Sequence, residues 1–121
     1  NLVEYAGAHR PLYIVRNNEV EQFKGSPFPI GGMQYRGRNK YKNREFEYNK
    51  GDSIFFFSDG LPDQFGANGE DKYSPQRIRE LIVEHQDKSM KELENIFRED
   101  LKTWMGEEKQ IDDVLLMGIN F

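Results

Sequence analysis

The sequence predicts an α+β fold with antiparallel strands, on three observations. The first half alternates short strand-like segments with Asn-rich and Gly-rich turns. Two amphipathic helix patterns follow, each opening on a serine, and the chain closes on a further apolar strand pattern. Strands on both sides of a helix pair, rather than a regular βαβ alternation, are typical of the α+β class.

Composition limits the classes of function. The 121 residues fit one domain or part of one, and 36% hydrophobic residues can fill a core. The charged residues are mixed in sign, with a net charge of −4, which argues against nonspecific nucleic-acid binding. Cysteine is absent, so disulfides, a thiolate zinc site and a cysteine nucleophile are excluded. No apolar run reaches the ~20 residues of a membrane helix, so we expect a cytoplasmic segment without membrane contact.

The first residues predict a strand followed by a hairpin at a sheet edge. Leu2–Ala6 alternates weakly, and Pro11–Arg16 is a stronger strand pattern. Asn17–Asn18 suits a two-residue turn because asparagine tolerates positive φ. Glu19–Lys24 then returns with alternating apolar side chains, which predicts one solvated face.

The segment Ser53–Phe57 is predicted to be the central strand. It follows a loop with two prolines and four glycines, Gly25–Gly37, and a half-exposed strand within Arg38–Tyr48. Ile54 to Phe57 run without polar alternation, which indicates a strand covered on both faces.

The helices have start and stop signals. Ser74 is the expected N-cap of the first helix, with Pro75 at its first position. The second opens at Ser89 with a capping box and ends at Gly106. The last predicted strand is Ile111–Phe121, in which Val114 to Met117 are all apolar.

Acidic residues flank both apolar strands. Asp59 and Gly60 come where the central strand leaves the core, and Asp112–Asp113 come before the last strand. If these strands are antiparallel neighbours, the two acidic segments converge. Carboxylates without cysteine favour hard cations such as Mg²⁺ or Mn²⁺. The alternatives are that Asp59–Gly60 only makes a turn and that Asp112–Asp113 only solvates a loop.

The motifs together resemble one family. In this order and spacing, the chain carries LVEYAGAHRPLYIVR, FPIGG, NKGDSIFFFSDGLPDQFG and QIDDVLLMGINF. They are similar to the C-terminal half of a SpoIIE-like (sporulation stage II E) domain. That family is a branch of the metal-dependent type 2C (PPM) serine/threonine protein phosphatases.

The resemblance implies an α-β-β-α sandwich with antiparallel sheets and a binuclear Mn²⁺ or Mg²⁺ centre. Asp59 matches the aspartate of the family's SDG motif and Asp112 the first aspartate of its closing motif, so both are expected metal ligands. Gly60 is expected to pack beside the centre, and Asp113 to order the ligands without binding the metal. Asp63 lies where some relatives bind a third, weaker metal.

The function implied is hydrolysis of phosphoserine or phosphothreonine on a regulatory protein, such as an anti-anti-sigma factor in bacterial signal transduction. Metal-activated water attacks phosphorus directly, so no serine or cysteine nucleophile is needed. Relatives commonly join this domain to sensory or membrane-attached modules.

Two departures from the family modify this expectation. The family's upstream half, with the aspartate that bridges both metals, has no counterpart before Leu2. We therefore expect residues 1–121 to be the C-terminal part of one domain, with weak or no metal binding and no activity alone. Exposed strand edges then predict self-association, including a homodimer. Leu115 stands where relatives usually carry threonine, which would loosen the ordering of the carboxylates.

Two other hypotheses remain open from the sequence. The chain could be a non-catalytic, partner-binding module on a degenerate phosphatase fold. It could also be a purely structural α+β domain in which Asp59 and Asp112 belong to unrelated turns.

Overall fold

A computed structural model describes residues 1–31 and 40–121 of the chain. In these ranges it contains six strands and two helices. They are β1 (Leu2–Tyr5), β2 (Leu12–Arg16), β3 (Glu19–Phe23), β4 (Arg44–Glu47), β5 (Ser53–Phe57), α1 (Ser74–Glu84), α2 (Met90–Met105) and β6 (Leu116–Asn120).

The strands form two antiparallel sheets. The larger has the order β3-β2-β5-β6, and the smaller pairs β1 with β4. The strand β5 therefore lies between two neighbours, as its continuous apolar sequence predicted. This arrangement confirms the α+β class and the antiparallel pairing.

The four-stranded sheet has an apolar cluster on each face. Phe55 and Phe57 of β5 point toward the helices, where they join buried residues of α1 and α2 such as Ile78 and Phe97. Ile54 points to the other face and joins a cluster that includes Leu12, Ile14 and partly buried side chains of β1 and β4. The sheet thus lies between the helix pair and the β1–β4 ribbon, which is the order of layers expected for part of a sandwich.

The helix signals are observed at the expected places. The Ser89 hydroxyl accepts a hydrogen bond from the Glu92 amide at 3.3 Å, and the Glu92 carboxylate accepts one from the Ser89 amide at 2.9 Å. Ser74 is the first residue of α1, but its φ of 73° is not helical and its hydroxyl accepts a hydrogen bond from the Arg77 amide at 3.4 Å. Ser74 therefore caps the helix as predicted. It is also counted as the first helical residue, because helix boundaries vary by a residue between criteria. Gly106, with φ of 56°, ends α2.

The last strand is shorter than Ile111–Phe121. The ladder stops at the pair Phe57 and Leu116 because the next residues bond differently. The Ser58 amide donates to the Leu115 carbonyl at 3.0 Å, but the Leu115 amide donates to the Ser58 hydroxyl, also at 3.0 Å. A side-chain oxygen thus replaces a backbone partner and ends the regular pairing.

Part of the predicted Gly25–Gly37 loop, and the start of the predicted Arg38–Tyr48 strand, lie outside the described residues. The described portion of that strand is the four-residue β4. Neither helix in the described ranges has both the length and the apolar character that crossing a bilayer requires.

Candidate functional site

The first acidic segment begins at Asp59, two residues after the end of β5. The side chain of Asp59 is 51% exposed, and its carboxylate forms an ion pair with the Arg10 guanidinium at 3.4 Å. Its carbonyl oxygen accepts a hydrogen bond from the Asp63 amide at 2.9 Å, which closes the turn after Gly60. The carboxylate therefore stands in solvent at the end of a buried strand.

The second acidic segment is attached to the first through Ser58. The Ser58 hydroxyl donates a hydrogen bond to the Asp113 carbonyl at 2.8 Å while accepting from the Leu115 amide. The Asp112 carboxylate accepts from the Asp113 amide at 2.8 Å, so its direction is set within its own turn. Antiparallel pairing of β5 and β6 thus brings Asp59 and Asp112–Asp113 to the same end of the sheet.

Gly60 lets the two segments approach each other. A Cβ atom added at Gly60 would lie 2.2 Å from the Asp113 carbonyl oxygen and 2.7 Å from its carbonyl carbon. These partners are backbone atoms and cannot rotate away, so any larger residue must move one of the acidic segments. Gly60 is therefore required by the backbone contact with Asp113.

A buried glutamine fixes the same two segments from inside. Gln64 is fully buried, and its side-chain amide donates to the Lys109 carbonyl at 3.0 Å. Its side-chain oxygen accepts from the Ile111 amide at 3.3 Å. Sequence reasoning missed this residue, because a glutamine in a polar, glycine-rich stretch is normally exposed and no local pattern marks it.

A polar network holds the loop between β5 and α1 against the helices, at the end of the loop that precedes α1. The Arg77 guanidinium donates two hydrogen bonds to the Asp100 carboxylate, at 2.8 and 2.7 Å, and lies over the Trp104 ring at 4.8 Å. The Tyr73 hydroxyl donates to Asp100 at 2.6 Å. Burial and this hydrogen bond raise the pKa of Tyr73, so the phenol stays protonated at neutral pH. The network joins α1 and α2 to the loop that begins with Asp59.

The remaining predicted residues have different neighbours. The Asp63 carboxylate forms an ion pair with Lys72 at 2.9 Å and is half exposed. For Asp113, the contacts with Ser58 and Asp112 use its backbone atoms. Of the five predicted residues, Asp59, Gly60, Asp112 and Asp113 lie in two adjoining segments, and Asp63 lies one turn further along.

The donor chemistry suits a hard divalent cation, since Mg²⁺ and Mn²⁺ prefer oxygen ligands such as carboxylates. In residues 1–31 and 40–121, no three acidic, histidine or cysteine side chains are grouped closely enough to hold a metal. This part of the chain therefore offers carboxylates of the right kind, in a number below a full ligand set.

The family model for stage II sporulation protein E matches residues 1–121. A comparison with curated protein sequences finds no match.

Solved structures of phosphatase domains have the same fold. The SiaA-PP2C domain of Pseudomonas aeruginosa is 26% identical, with a TM-score of 0.88 over 99% of this chain and 46% of that one. A structure of the PP2C phosphatase domain and part of the regulatory domain of SpoIIE from Bacillus subtilis is 14% identical, with a TM-score of 0.72 over 99% and 34%. A manganese-presoaked SpoIIE phosphatase domain from the same organism is 11% identical, with a TM-score of 0.66 over 98% and 56%. The chain thus spans between about a third and just over half of the length of these structures.

Proposed function

Because this chain belongs to the stage II sporulation protein E family, we propose that it forms part of a metal-dependent phosphatase domain acting on phosphoserine or phosphothreonine of a regulatory protein. The observation that carries the proposal is the contact of Gly60 with Asp113, which places Asp59 and Asp112–Asp113 in adjoining segments. A backbone approach this close is expected where two strand ends must present carboxylates to one ion.

Asp59 and Asp112 are the residues that would hold the metal. Bound Mn²⁺ or Mg²⁺ would supply the Lewis acidity that makes water nucleophilic near neutral pH and that offsets charge on phosphoryl oxygens. The chain's own residues prepare this site: Ser58 and Gln64 fix the backbone that bears Asp112, and Arg10 holds the Asp59 carboxylate through their ion pair.

The proposal extends to the complete domain. Residues 1–121 would be its C-terminal part, and a preceding segment would supply the further carboxylates that the ion needs. The chain by itself would then bind metal weakly and hydrolyse little. The substrate would be a phosphorylated regulatory protein of a bacterial signalling pathway, such as an anti-anti-sigma factor, and the domain would act in the cytoplasm.

Self-association is part of the same proposal. The edge strand β6 exposes the apolar side chains of Met117 at 43% and Ile119 at 41%, and Leu115, directly before the strand, is 51% exposed. An unpaired apolar strand edge is a template for pairing with another chain. Isolated copies of this chain would therefore pair through β6 as homodimers.

The decisive experiment measures Mn²⁺-dependent hydrolysis of p-nitrophenyl phosphate by the complete domain. Asp59→Asn and Asp112→Asn should each lower kcat on the order of a hundredfold, the usual loss when one charge-stabilising group is removed. Asp87→Asn is the matched control, since Asp87 lies in the connection between the helices. Undiminished activity in both site variants would overturn the assignment of the ligands. Retained binding of a phosphoprotein by an inactive wild type would favour the non-catalytic binding module.

A further inference from the structure

A second surface feature is lined by Arg10, the residue that forms the ion pair with Asp59. It is a cavity of about 530 Å³, here called the cationic cleft, between the ends of β2 and β3 and the first turn of α1. Its charged lining residues are Arg10, Lys24 and Arg79. Its floor contains Tyr13 and Phe57, which belong to the core cluster under the helices.

The charge of the cleft differs from that of the whole chain. None of the side chains that line it is acidic, although the chain has 21 acidic and 17 basic residues. Within the described ranges, Lys24 and Arg79 have no carboxylate within the 4 Å of an ion pair. Two cations without a local counter-charge, in a concave site, concentrate positive potential there.

Arg79 is held in place by a buried residue. One guanidinium nitrogen donates to the Tyr13 hydroxyl at 3.2 Å, and the guanidinium carbon lies 5.8 Å from the centre of the Tyr13 ring. Tyr13 is itself 1% exposed and fixed in β2 between two strands. The remaining guanidinium donors are therefore pre-organised for an anion, since a planar guanidinium binds phosphate through paired hydrogen bonds.

Arg10 connects the cleft with the candidate metal site. It lines the cleft and also forms the ion pair with Asp59 at 3.4 Å. An anion that occupied the cleft would therefore lie next to the carboxylate proposed to bind metal. The first turn of α1, Ser74–Gln76, lines the same cavity and adds the positive end of a helix dipole.

We propose that the cationic cleft binds the phosphate-bearing, acidic segment of the substrate protein. This inference rests on the proposed phosphatase function and adds a docking site to it. Lys24 and Arg79 would bind acidic groups of the segment, and Arg10 would bind the phosphate beside Asp59. A phosphorylated peptide fits better than a nucleic acid, because three cations in one cavity match a short anionic segment rather than an extended phosphate backbone.

The test measures binding without hydrolysis. The full 121-residue chain, free of metal, is titrated with a labelled peptide that carries one phosphoserine flanked by glutamates, and binding is followed by fluorescence anisotropy and by amide chemical shifts. Lys24→Glu and Arg79→Glu should each weaken binding by about tenfold, the effect of reversing a charge at a complementary contact. Asp59→Asn should strengthen it by about threefold, because Arg10 is then released from its ion pair.

Lys50→Glu is the matched control, because it makes the same charge change in the turn before β5, at the opposite end of that strand, and should leave the affinity unchanged. Equal loss in Lys24→Glu and Lys50→Glu would overturn the proposal in favour of diffuse electrostatics. The proposal would also be overturned if the unphosphorylated peptide bound with the same affinity, or if inorganic phosphate competed as well as unlabelled phosphopeptide at the same concentration. Absence of amide shifts at millimolar phosphopeptide would overturn it as well. The binding experiment measures no turnover, so it tests the docking site alone. The metal-dependent hydrolysis assay tests the phosphatase function, and either proposal can therefore fail without the other.

Discussion

The side-chain oxygen of Gln64 accepts a hydrogen bond from the backbone amide of Ile111, one residue before Asp112, at 3.3 Å. Gln64 itself lies five positions after Asp59, so one buried side chain joins the two loops that carry the candidate metal ligands. The same side chain also donates to the Lys109 carbonyl. Gln64 is therefore a positioning residue for the site, because its side-chain oxygen is already bonded to the Ile111 amide.

Replacement of this amide should loosen the second loop. Gln64→Leu leaves the Ile111 amide and the Lys109 carbonyl without partners, so we expect a loss of about 1–3 kcal/mol in the free energy of unfolding. Urea denaturation measures this loss, and hydrogen exchange at the Ile111 amide should accelerate. Gln86→Leu, at an exposed position after α1, is the control and should change neither quantity. Unchanged exchange at Ile111 would show that Gln64 does not hold the loop.

Replacement of Gly60 should displace the acidic segments. A Cβ at this position meets the Asp113 carbonyl, and relief of such a backbone clash costs about 1–3 kcal/mol. We therefore expect Gly60→Ala to lower stability in urea and to shift the amide resonances of Asp112 and Asp113. Gly51→Ala is the comparison, because its φ of 94° is strained but no atom lies within 4 Å of the added Cβ. It should lower stability without moving those resonances, and a shift of equal size in both variants would contradict the contact.

Stability should depend on pH through Asp52. The hydrogen bonds from the Arg16 guanidinium, with that from the Asn49 amide, hold the pKa of the Asp52 carboxyl below its usual value. Its stabilising effect is therefore fully present above the unfolded pKa of about 3.9. That effect is lost as pH falls from this value through the lower folded pKa.

Asp52→Asn should lower the free energy of unfolding by about 1 kcal/mol at pH 7 and reduce the loss of stability between pH 4 and the folded pKa. Thermal unfolding over this pH range checks the expectation. If the ion pair is the cause, Asp52→Asn should have a much smaller effect in an Arg16→Gln background. Fully additive effects of the two substitutions would count against it.

The exposed edge of β6 should control self-association. Ile119→Lys places a charge on the apolar edge, and it should shift sedimentation toward the monomer at concentrations where the wild-type chain is dimeric. Ile30→Lys is the matched control, because Ile30 is 85% exposed and lies outside the strands. A wild-type chain that stays monomeric at high concentration would contradict the homodimer.

Much of the fold could be predicted from local patterns. The apolar run of β5, the capping box at Ser89 and the helix end at Gly106 depend on residues within a few positions of one another. The sequence predicts that Asp59 and Asp112–Asp113 converge only if β5 and β6 are neighbours. Their pairing, which lets the Ser58 hydroxyl bind the Asp113 carbonyl, is a property of the sheet.

The sequence by itself determined the class of fold, the central strand, both helices and the two acidic segments, because periodicity and turn chemistry act over short separations. Only the tertiary structure decided the burial of Gln64, the early end of β6 and the grouping of Arg10, Lys24 and Arg79 in one cleft. Those features join residues far apart in the chain, and a polar side chain carries no local signal of the partner that will satisfy it.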